Sequence, residues 1–347
     1  MAKRTLASIW GRALQRNVAA LGRQAVRAGH RAVGQAVKQT VQQTVKQTIQ
    51  RSRPARRPTP GPGLWSPGLA LGPAGPRRYW LYRPAGVVAG EQLPLLVMLH
   101  GCGQDADRLA ASSRMNRVAE RERFLVLYPE QDRLANPQGC WNWFDTRRGR
   151  AQREAASVLA AVDQVCATGP ADRSRVALAG LSAGASVAAL LATLAPDRFR
   201  AVVMHSGVAP GQADSPLSAL RAMRGRGGTV PRAVPPDPAA PPWPPLLVIQ
   251  GRLDPVVSPA NATAAVLAWA AAAGARPLAP RQVQRGQRYP MAVTDFKTGP
   301  RLVARLVLID RLAHVWSGGA AGQPFSDPHG PDASHLLWSF VARHLRD

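Results

Sequence analysis

The segment RVALAGLSAGASVAAL, residues 175–190, constrains the fold of this chain more than any other segment. An apolar run of strand length leads into Gly180, then Ser182 between small residues, then an alanine-rich run of helical character. Small neighbours around one hydroxyl indicate a sharp strand-to-helix turn of the G-x-S-x-G type, with the serine exposed at the end of a parallel strand. The alternative is a serine in a glycine-rich turn without a chemical role, so the rest of the sequence has to supply its partners.

Apolar strand-like segments alternate with helical segments on both sides of this turn. The predicted strands are RRYWLYRP, LPLLVMLH, FLVLYPE, AVVMHSG and LLVIQGRLD, followed by an adjacent pair, YPMAVTDF and RLVARLVLID. Helices are predicted near residues 106–121, 151–167 and 259–273. This alternation predicts an α/β fold in which a mostly parallel sheet carries helices on both faces. Binding sites in such sheets lie beyond the carboxyl ends of the strands.

An acid and a histidine follow the serine in the order Ser182, Asp254, His314. A serine hydroxyl needs a neighbouring base, and the base needs a third group to orient it. Asp254 and His314 each come just after a predicted strand, and their chain order is that of the α/β-hydrolase fold. A turn-forming aspartate and a loop histidine without function are the alternatives. His205, which ends the strand after the turn, is a competing base, but it precedes any suitable acid.

Two backbone N–H groups are candidates for stabilising an oxyanion. One belongs to Ala183, the residue after the serine, and the other to Cys102 in LHGCGQD, a loop that begins with the His-Gly pair typical of lipases and esterases. The cluster CWNWF, residues 140–144, supplies aromatic side chains in a polar loop. We predict that Trp141 and Trp316 contact substrate and that Trp143 packs on the core of the domain.

The formal net charge of +25 is concentrated at the N-terminus, because the first 90 residues hold 16 of the 45 Lys and Arg residues and none of the 20 Asp and Glu residues. Residues 1–51 are predicted to form a basic amphipathic helix with an apolar stripe at every fourth position, formed by Val33, Val37, Val41, Val45 and Ile49. Such a helix suits an anionic surface. A second hypothesis makes the chain a nonspecific nucleic-acid or surface binder, and a third makes the segment a frayed tail whose arginines reflect a GC-rich gene.

Residues 52–76 are rich in Pro and Gly and are predicted to be a linker, which places the folded domain at 77–347. The Pro-rich segment before Leu246 is predicted to be a surface excursion or partial lid. No transmembrane run and no secretory signal are recognised, which favours a cytoplasmic or granule-associated protein. Three cysteines allow one disulfide at most, and their spacing indicates no metal site.

The motifs HGCGQD, CWNWFD, GLSAG, GRLDPVV, YPMAVTDF and LAHVWSGG, followed by PFSDPHGPDAS, occur in this order. Together they resemble the poly(3-hydroxybutyrate) depolymerase and feruloyl-esterase-like group of α/β-hydrolases, from about residue 78 to residue 345. The resemblance implies a serine esterase without a cofactor, with Ser182, Asp254 and His314 as its triad and Cys102 with Ala183 at the oxyanion hole.

The same resemblance implies a disulfide between Cys102 and Cys140, and a substrate that is a short-chain poly- or oligo-hydroxyalkanoate. Feruloyl or acetyl esters of plant polysaccharide are the alternative substrates with the same triad. For an enzyme of this kind, the coat of a storage granule is a candidate surface for residues 1–50. The group is often secreted, so the compartment of this chain stays open.

Overall fold

The computed structural model describes residues 61–226 and 241–346. The predicted N-terminal helix, its surface contact and the first part of the predicted linker, residues 52–60, therefore lie outside the described residues. The same is true of residues 227–240, which hold much of the predicted Pro-rich excursion. No helix in the described ranges is both long enough and apolar enough to cross a membrane.

A single large sheet runs through the described part of the chain. Its strands are β1 (Leu64–Gly72), β2 (Gly75–Arg83), β3 (Leu93–Leu99), β4 (Leu125–Pro129), β5 (Ala171–Leu181), β6 (Ala201–His205), β7 (Leu246–Gly251), β8 (Arg276–Pro277), β9 (Arg281–Val283), β10 (Met291–Thr298) and β11 (Arg301–Ile309). The order is β1-β2-β4-β3-β5-β6-β7-β11-β10-β8, with β9 also paired to β10. Neighbouring strands from β4 to β11 in this order run parallel, and both flanks are antiparallel.

Seven α-helices are described: α1 (Ala106–Ser113), α2 (Met115–Glu122), α3 (Arg150–Thr168), α4 (Ala183–Leu194), α5 (Pro216–Met223), α6 (Ala260–Ala272) and α7 (Ala333–His344). Helices α3, α4 and α6 bury their apolar side chains in one core cluster, and α1, α2 and α7 contribute to the other. The sheet alternates its side chains between these two clusters, as strands with both faces covered do. The predicted α/β-hydrolase fold is confirmed.

The single helix predicted near residues 106–121 is in fact two helices. Arg114 interrupts it with a positive φ of 56°, and its backbone N–H closes α1 on the carbonyl of Ala110. The guanidinium of Arg114 donates a hydrogen bond to the carbonyl oxygen of Gly318 over 2.5 Å. This contact lies 204 residues away in the chain, so local periodicity carries no sign of the break.

The predicted boundary of the folded domain at residue 77 is wrong, because residues 64–72 form edge strand β1 of the main sheet. Trp65 on β1 stacks on Trp80 of β2 with ring centroids 5.4 Å apart. Gly68 lies under the ring of Tyr79, where a Cβ would come within 2.1 Å of the ring. The glycine content that indicated a linker therefore has another cause here, since Gly68 leaves room for an aromatic ring. Pro67 is compatible with this strand because the strand lies at the edge of the sheet.

Strands β5, β6, β7 and β11 lie side by side, and their carboxyl ends meet at one edge of the sheet. The loop after β11 contains a further two-stranded parallel ladder, β12 (Trp316–Ser317) with β13 (Ser326–Asp327). The segments that follow these four strands carry Ser182, Ser206, Asp254 and His314. The fold thus places residues from distant parts of the chain at the edge where parallel sheets bind ligands.

Candidate active site

Ser182 occupies a strained backbone conformation between β5 and α4, with φ 57° and ψ −121°. Its own N–H donates to the carbonyl oxygen of His205 over 2.8 Å. Gly180 and Gly184, on either side of Ser182, have no room for a side chain. A Cβ at Gly180 would lie 2.4 Å from the carbonyl carbon of Gly184, and a Cβ at Gly184 would lie 2.2 Å from the carbonyl oxygen of Leu99. The motif GLSAG therefore encodes a turn that few other residues could form.

A hydrogen-bonded chain joins Ser182, His314 and Asp254. The Nε2 atom of His314 lies 2.9 Å from the hydroxyl of Ser182, and its Nδ1 atom lies 2.7 Å from Oδ2 of Asp254. A carboxylate can only accept, so Nδ1 carries the proton and Nε2 is left to accept the serine proton. The three side chains predicted from chain order are brought together in the geometry that activates a serine.

Asp254 is held as a carboxylate by several donors. Its Oδ1 atom accepts hydrogen bonds from the N–H groups of Val256 and Val257 over 2.9 and 2.8 Å, and its Oδ2 atom accepts one from Nε2 of Gln250 over 2.9 Å. Burial alone would raise the pKa of Asp254, but the hydrogen bond and charge of His314, with the two backbone donors, hold this pKa below its ordinary value. The residue is thus ionised near neutral pH, as an acid that orients a histidine must be.

The two predicted oxyanion donors flank the elbow. Ala183 is the first residue of α4, and the first N–H groups of a helix have no acceptor within it. The loop carrying Cys102 packs against the elbow, since a Cβ at Gly101 would lie 3.5 Å from Cβ of Ser182. The carbonyl of Gly101 accepts a hydrogen bond from Nδ1 of His100 over 2.9 Å. The N–H of Cys102 belongs to the same trans peptide and points the opposite way.

The structure contains the disulfide that the resemblance implies, between Cys102 and Cys140, with the two Cα atoms 4.2 Å apart. It joins the loop after β3 to the loop after β4. The third cysteine, Cys166, is a half-buried free thiol. In the described ranges, no group of three His, Cys, Asp or Glu residues lies together in a way that could hold a metal ion.

Part of the sequence matches a known protein family. Residues 77–275 match the family described as Esterase PHB depolymerase. The chain belongs to this family. The membership confirms the resemblance inferred from the ordered motifs.

Two relatives share part of the sequence. Poly(3-hydroxyalkanoate) depolymerase C of Paucimonas lemoignei is 39% identical over 127 residues, which is 36% of this chain and 30% of that protein. Feruloyl esterase B of Neurospora crassa is 31% identical over 117 residues, 33% of this chain and 39% of that protein. The matches thus span less than half the length of either relative.

An acetyl xylan esterase from Aspergillus awamori has the same fold. Its TM-score is 0.65 at 17% sequence identity, and the superposition covers 81% of this chain and 99% of that one.

Two predicted substrate contacts of this family member are wrong. Trp141 is fully buried, donates its indole N–H to the carbonyl oxygen of His100 over 3.0 Å and has the guanidinium of Arg77 over its ring. Trp316 is 1% exposed and donates to Oγ of Ser334 over 3.1 Å. Both indoles are used inside the protein, so neither can stack on a substrate.

The partly exposed aromatic side chains of the loop are Trp143 and Phe144, and Trp143 also packs against the main core of the domain, as predicted. Their rings pack edge to face with centroids 5.7 Å apart. Both lie on a small apolar cluster that includes Val208 and Val257, and the N–H of Val257 donates to Asp254. The alternation of aromatic and polar residues in CWNWF indicates that one tryptophan is more exposed than the other. It does not show which one, because an irregular loop has no regular period that assigns side chains to the inside or the outside.

His205 does not compete with His314 as the base. Its Nε2 atom accepts a hydrogen bond from the N–H of Ser317 over 3.2 Å, and its Nδ1 atom lies 3.1 Å from Oγ of Ser206. Burial, with a smaller effect from the charge of His314, lowers the pKa of His205 to about 3. Both ring nitrogens are therefore occupied, and the imidazole is neutral under ordinary conditions.

Proposed function

We propose that this protein is a serine esterase that hydrolyses carboxylic esters through an acyl-enzyme. The observation that carries the proposal is the hydrogen-bonded chain from Ser182 through His314 to Asp254. Membership in the esterase PHB depolymerase family supports it independently. The strained elbow, which presents the serine hydroxyl to the edge of the sheet, supports it as well.

In the first half of the reaction, Oγ of Ser182 attacks the carbonyl carbon of the ester while Nε2 of His314 takes the hydroxyl proton. The developing oxyanion accepts hydrogen bonds from the N–H groups of Ala183 and Cys102, and each such donor is worth about 3 kcal/mol in the transition state. Asp254 stabilises the imidazolium that forms. The tetrahedral intermediate then breaks its bond to the alkoxy oxygen, which leaves as the alcohol with the proton from His314.

In the second half, water occupies the place of the alcohol. His314 takes a proton from the water, whose oxygen attacks the acyl carbon of the ester on Ser182. The second tetrahedral intermediate expels Oγ of Ser182, which recovers its proton from His314. One water is consumed, and one carboxylic acid and one alcohol are released, so the enzyme returns to its starting state.

For the substrate, we favour a poly- or oligo-hydroxyalkanoate with short side chains. A relative from Paucimonas lemoignei carries the name poly(3-hydroxyalkanoate) depolymerase, although the match covers only 30% of its length. A polyester repeat is uncharged and has small apolar branches. The partly exposed rings of Trp143 and Phe144, on an apolar cluster beside the loop of Asp254, suit such a repeat.

Feruloyl or acetyl esters of plant polysaccharide are the second candidate. The similarity to Feruloyl esterase B of Neurospora crassa favours them, at 31% identity. These substrates keep the same chemistry and differ in the acyl group and the alcohol, so the triad does not discriminate between the two classes.

A substrate panel tests the proposal. The protein is assayed on hydroxybutyrate oligomers, methyl ferulate and acetylated xylo-oligosaccharide, with Ser182→Ala as the control and a fluorophosphonate probe to label the nucleophile. We expect the highest kcat/KM on the oligomers and no labelling of Ser182→Ala. Higher kcat/KM on ferulate or acetyl esters would support the second candidate, and labelling of Ser182→Ala would overturn the assignment of the nucleophile.

A further inference from the structure

His205 contacts both the turn that carries Ser182 and the loop that carries His314. It is the last residue of β6, next to β5, which leads into Ser182. Its carbonyl oxygen accepts a hydrogen bond from the N–H of Ser182 over 2.8 Å, and its Nε2 atom accepts one from the N–H of Ser317 over 3.2 Å. Ser317 lies three residues after His314. One residue therefore joins the backbone of the nucleophile to the loop that carries the base.

The ring of His205 is fixed by its other contacts. It stacks on the indole of Trp316 with centroids 5.1 Å apart and planes 24° apart. Trp316 donates to Oγ of Ser334 over 3.1 Å, and this hydroxyl donates to the carbonyl oxygen of Ser113 over 2.6 Å. The loop after β11 is thereby tied to helices α1 and α7 on one side of His205. Rotation of the imidazole would break the stack and the hydrogen bond to Ser317 together.

Both partners in the hydrogen bond to Ser317 are fully buried, at 0% exposure for His205 and for Ser317. Water cannot replace the imidazole as acceptor without opening the loop, and a buried N–H without a partner is unfavourable. Only the neutral imidazole has a lone pair at Nε2 to accept this bond when Nδ1 carries the proton. His205 thus holds the loop without moving a proton itself.

We propose that His205 is a positioning residue, which sets the distance between Nε2 of His314 and Oγ of Ser182 by holding Ser317. The proposal rests on the catalytic roles proposed above for Ser182 and His314. Loss of the acceptor should let the loop after β11 shift. A displacement of about 1 Å in a catalytic group can cost roughly 100-fold in rate. A histidine that serves stability alone would leave the rate of each folded site unchanged.

Two amide substitutions separate these roles. His205→Gln can place an acceptor near the position of Nε2, whereas His205→Asn is one methylene shorter and reaches only toward Ser206. Both remove the stacking ring, so their difference isolates the acceptor for Ser317. Competent sites are counted by complete reaction with a fluorophosphonate, and kcat on p-nitrophenyl butyrate is expressed for each labelled site. Tm is measured in parallel.

We expect kcat for each labelled site to fall at least tenfold in His205→Asn and to recover to within about threefold of the parent in His205→Gln. Tyr128→Phe is the matched control, because it also removes one buried hydrogen-bonding group, the hydroxyl that donates to Asn116 over 2.7 Å. Tyr128 lies on β4, outside the site, so this control should lower Tm and leave kcat for each labelled site unchanged.

An unchanged kcat for each labelled site in His205→Asn would overturn the proposal, as would equal losses in the Asn and Gln variants. If His205→Asn does not accumulate as folded protein, His205→Phe replaces it, because phenylalanine keeps a ring against Trp316 and offers no acceptor. Failure of the proposed function is a separate result: the parent chain would then not be labelled at Ser182 at all.

Discussion

The Nδ1–H of His100 donates a hydrogen bond to the carbonyl oxygen of Gly101 over 2.9 Å, and this contact fixes the orientation of the peptide between Gly101 and Cys102. The Nε2 atom of the same ring accepts from the N–H of Gln131 over 3.0 Å. Burial is the main cause that lowers the pKa of His100 to about 4, so the ring is neutral. The proposed oxyanion donor of Cys102 thus depends on a buried side chain two residues earlier.

Substitution of His100 should therefore lower kcat. We expect His100→Leu to reduce kcat on p-nitrophenyl butyrate by about tenfold to 100-fold. Complete loss of an oxyanion donor costs roughly 100- to 1000-fold, so a donor that is only misplaced should cost no more than that. His100→Asn keeps a donor near the position of Nδ1 and should lose less. Equal kcat values for His100→Leu and the parent would contradict this role.

Asp254→Asn should reduce kcat by several orders of magnitude, roughly 10⁴-fold, because an amide cannot hold His314 in the required tautomer. The steady-state rate on a soluble ester measures the effect, and fluorophosphonate labelling shows whether Ser182 still reacts. Asp310→Asn, at a carboxylate paired with Arg252 on the surface, is the control and should keep full activity. A loss smaller than tenfold in Asp254→Asn would mean that another group orients His314.

Acid should destabilise the fold through its buried histidines. The pKa values of His100 and His205 are lowered to about 4 and about 3, whereas an unfolded histidine titrates near pH 6.5. Between these values the unfolded chain binds more protons, so the free energy of unfolding falls as pH falls from about 6.5 toward 4. Tm measured across this range should drop.

The decrease in Tm should be shallower in His205→Gln, whose amide does not titrate, than in His335→Gln, since His335 is exposed. If Tm fell equally with pH in these two variants, the buried imidazole of His205 would not be a cause of the acid sensitivity.

Removal of the disulfide between Cys102 and Cys140 should lower stability more than activity. The proposed oxyanion donor is a backbone N–H, which the double variant Cys102→Ala/Cys140→Ala retains. A native disulfide typically contributes about 2–4 kcal/mol to the free energy of unfolding. Denaturant unfolding should show a loss of this order, with kcat within about tenfold of the parent. Cys166→Ala is the control, and a double variant as stable as Cys166→Ala would refute the prediction.

Residues 1–51 remain proposed as a segment that attaches the protein to an anionic surface, on the basis of nine Lys and Arg residues in its first 50 positions and no acidic residue. Deletion of residues 1–60 should leave hydrolysis of a small soluble ester unchanged. It should weaken sedimentation with phosphatidylglycerol vesicles, most strongly at low salt, because exposed charges are screened as ionic strength rises. Equal sedimentation of the two forms would contradict the attachment.

The features that depend on local pattern and chain order could be predicted from the amino-acid sequence. The glycines of GLSAG require a sharp turn, apolar strands alternate with helices, and Ser182, Asp254 and His314 each follow a strand of a parallel sheet. These three strands end at the same edge wherever the sheet is formed, so the triad could be predicted before its distances were known.

The burial of side chains in loops and the pairing of strands at the flank of the sheet could not be predicted, because both depend on contacts between distant parts of the chain. Trp141 and Trp316 are enclosed by partners distant in the chain, at His100 and Ser334, and no periodicity within a loop reports such contacts. Strand β1 has a linker-like composition and is held by pairing with β2. The second contact of His205, to Ser317, spans 112 residues. Side-chain burial in irregular segments is set by long-range packing, which local sequence does not encode.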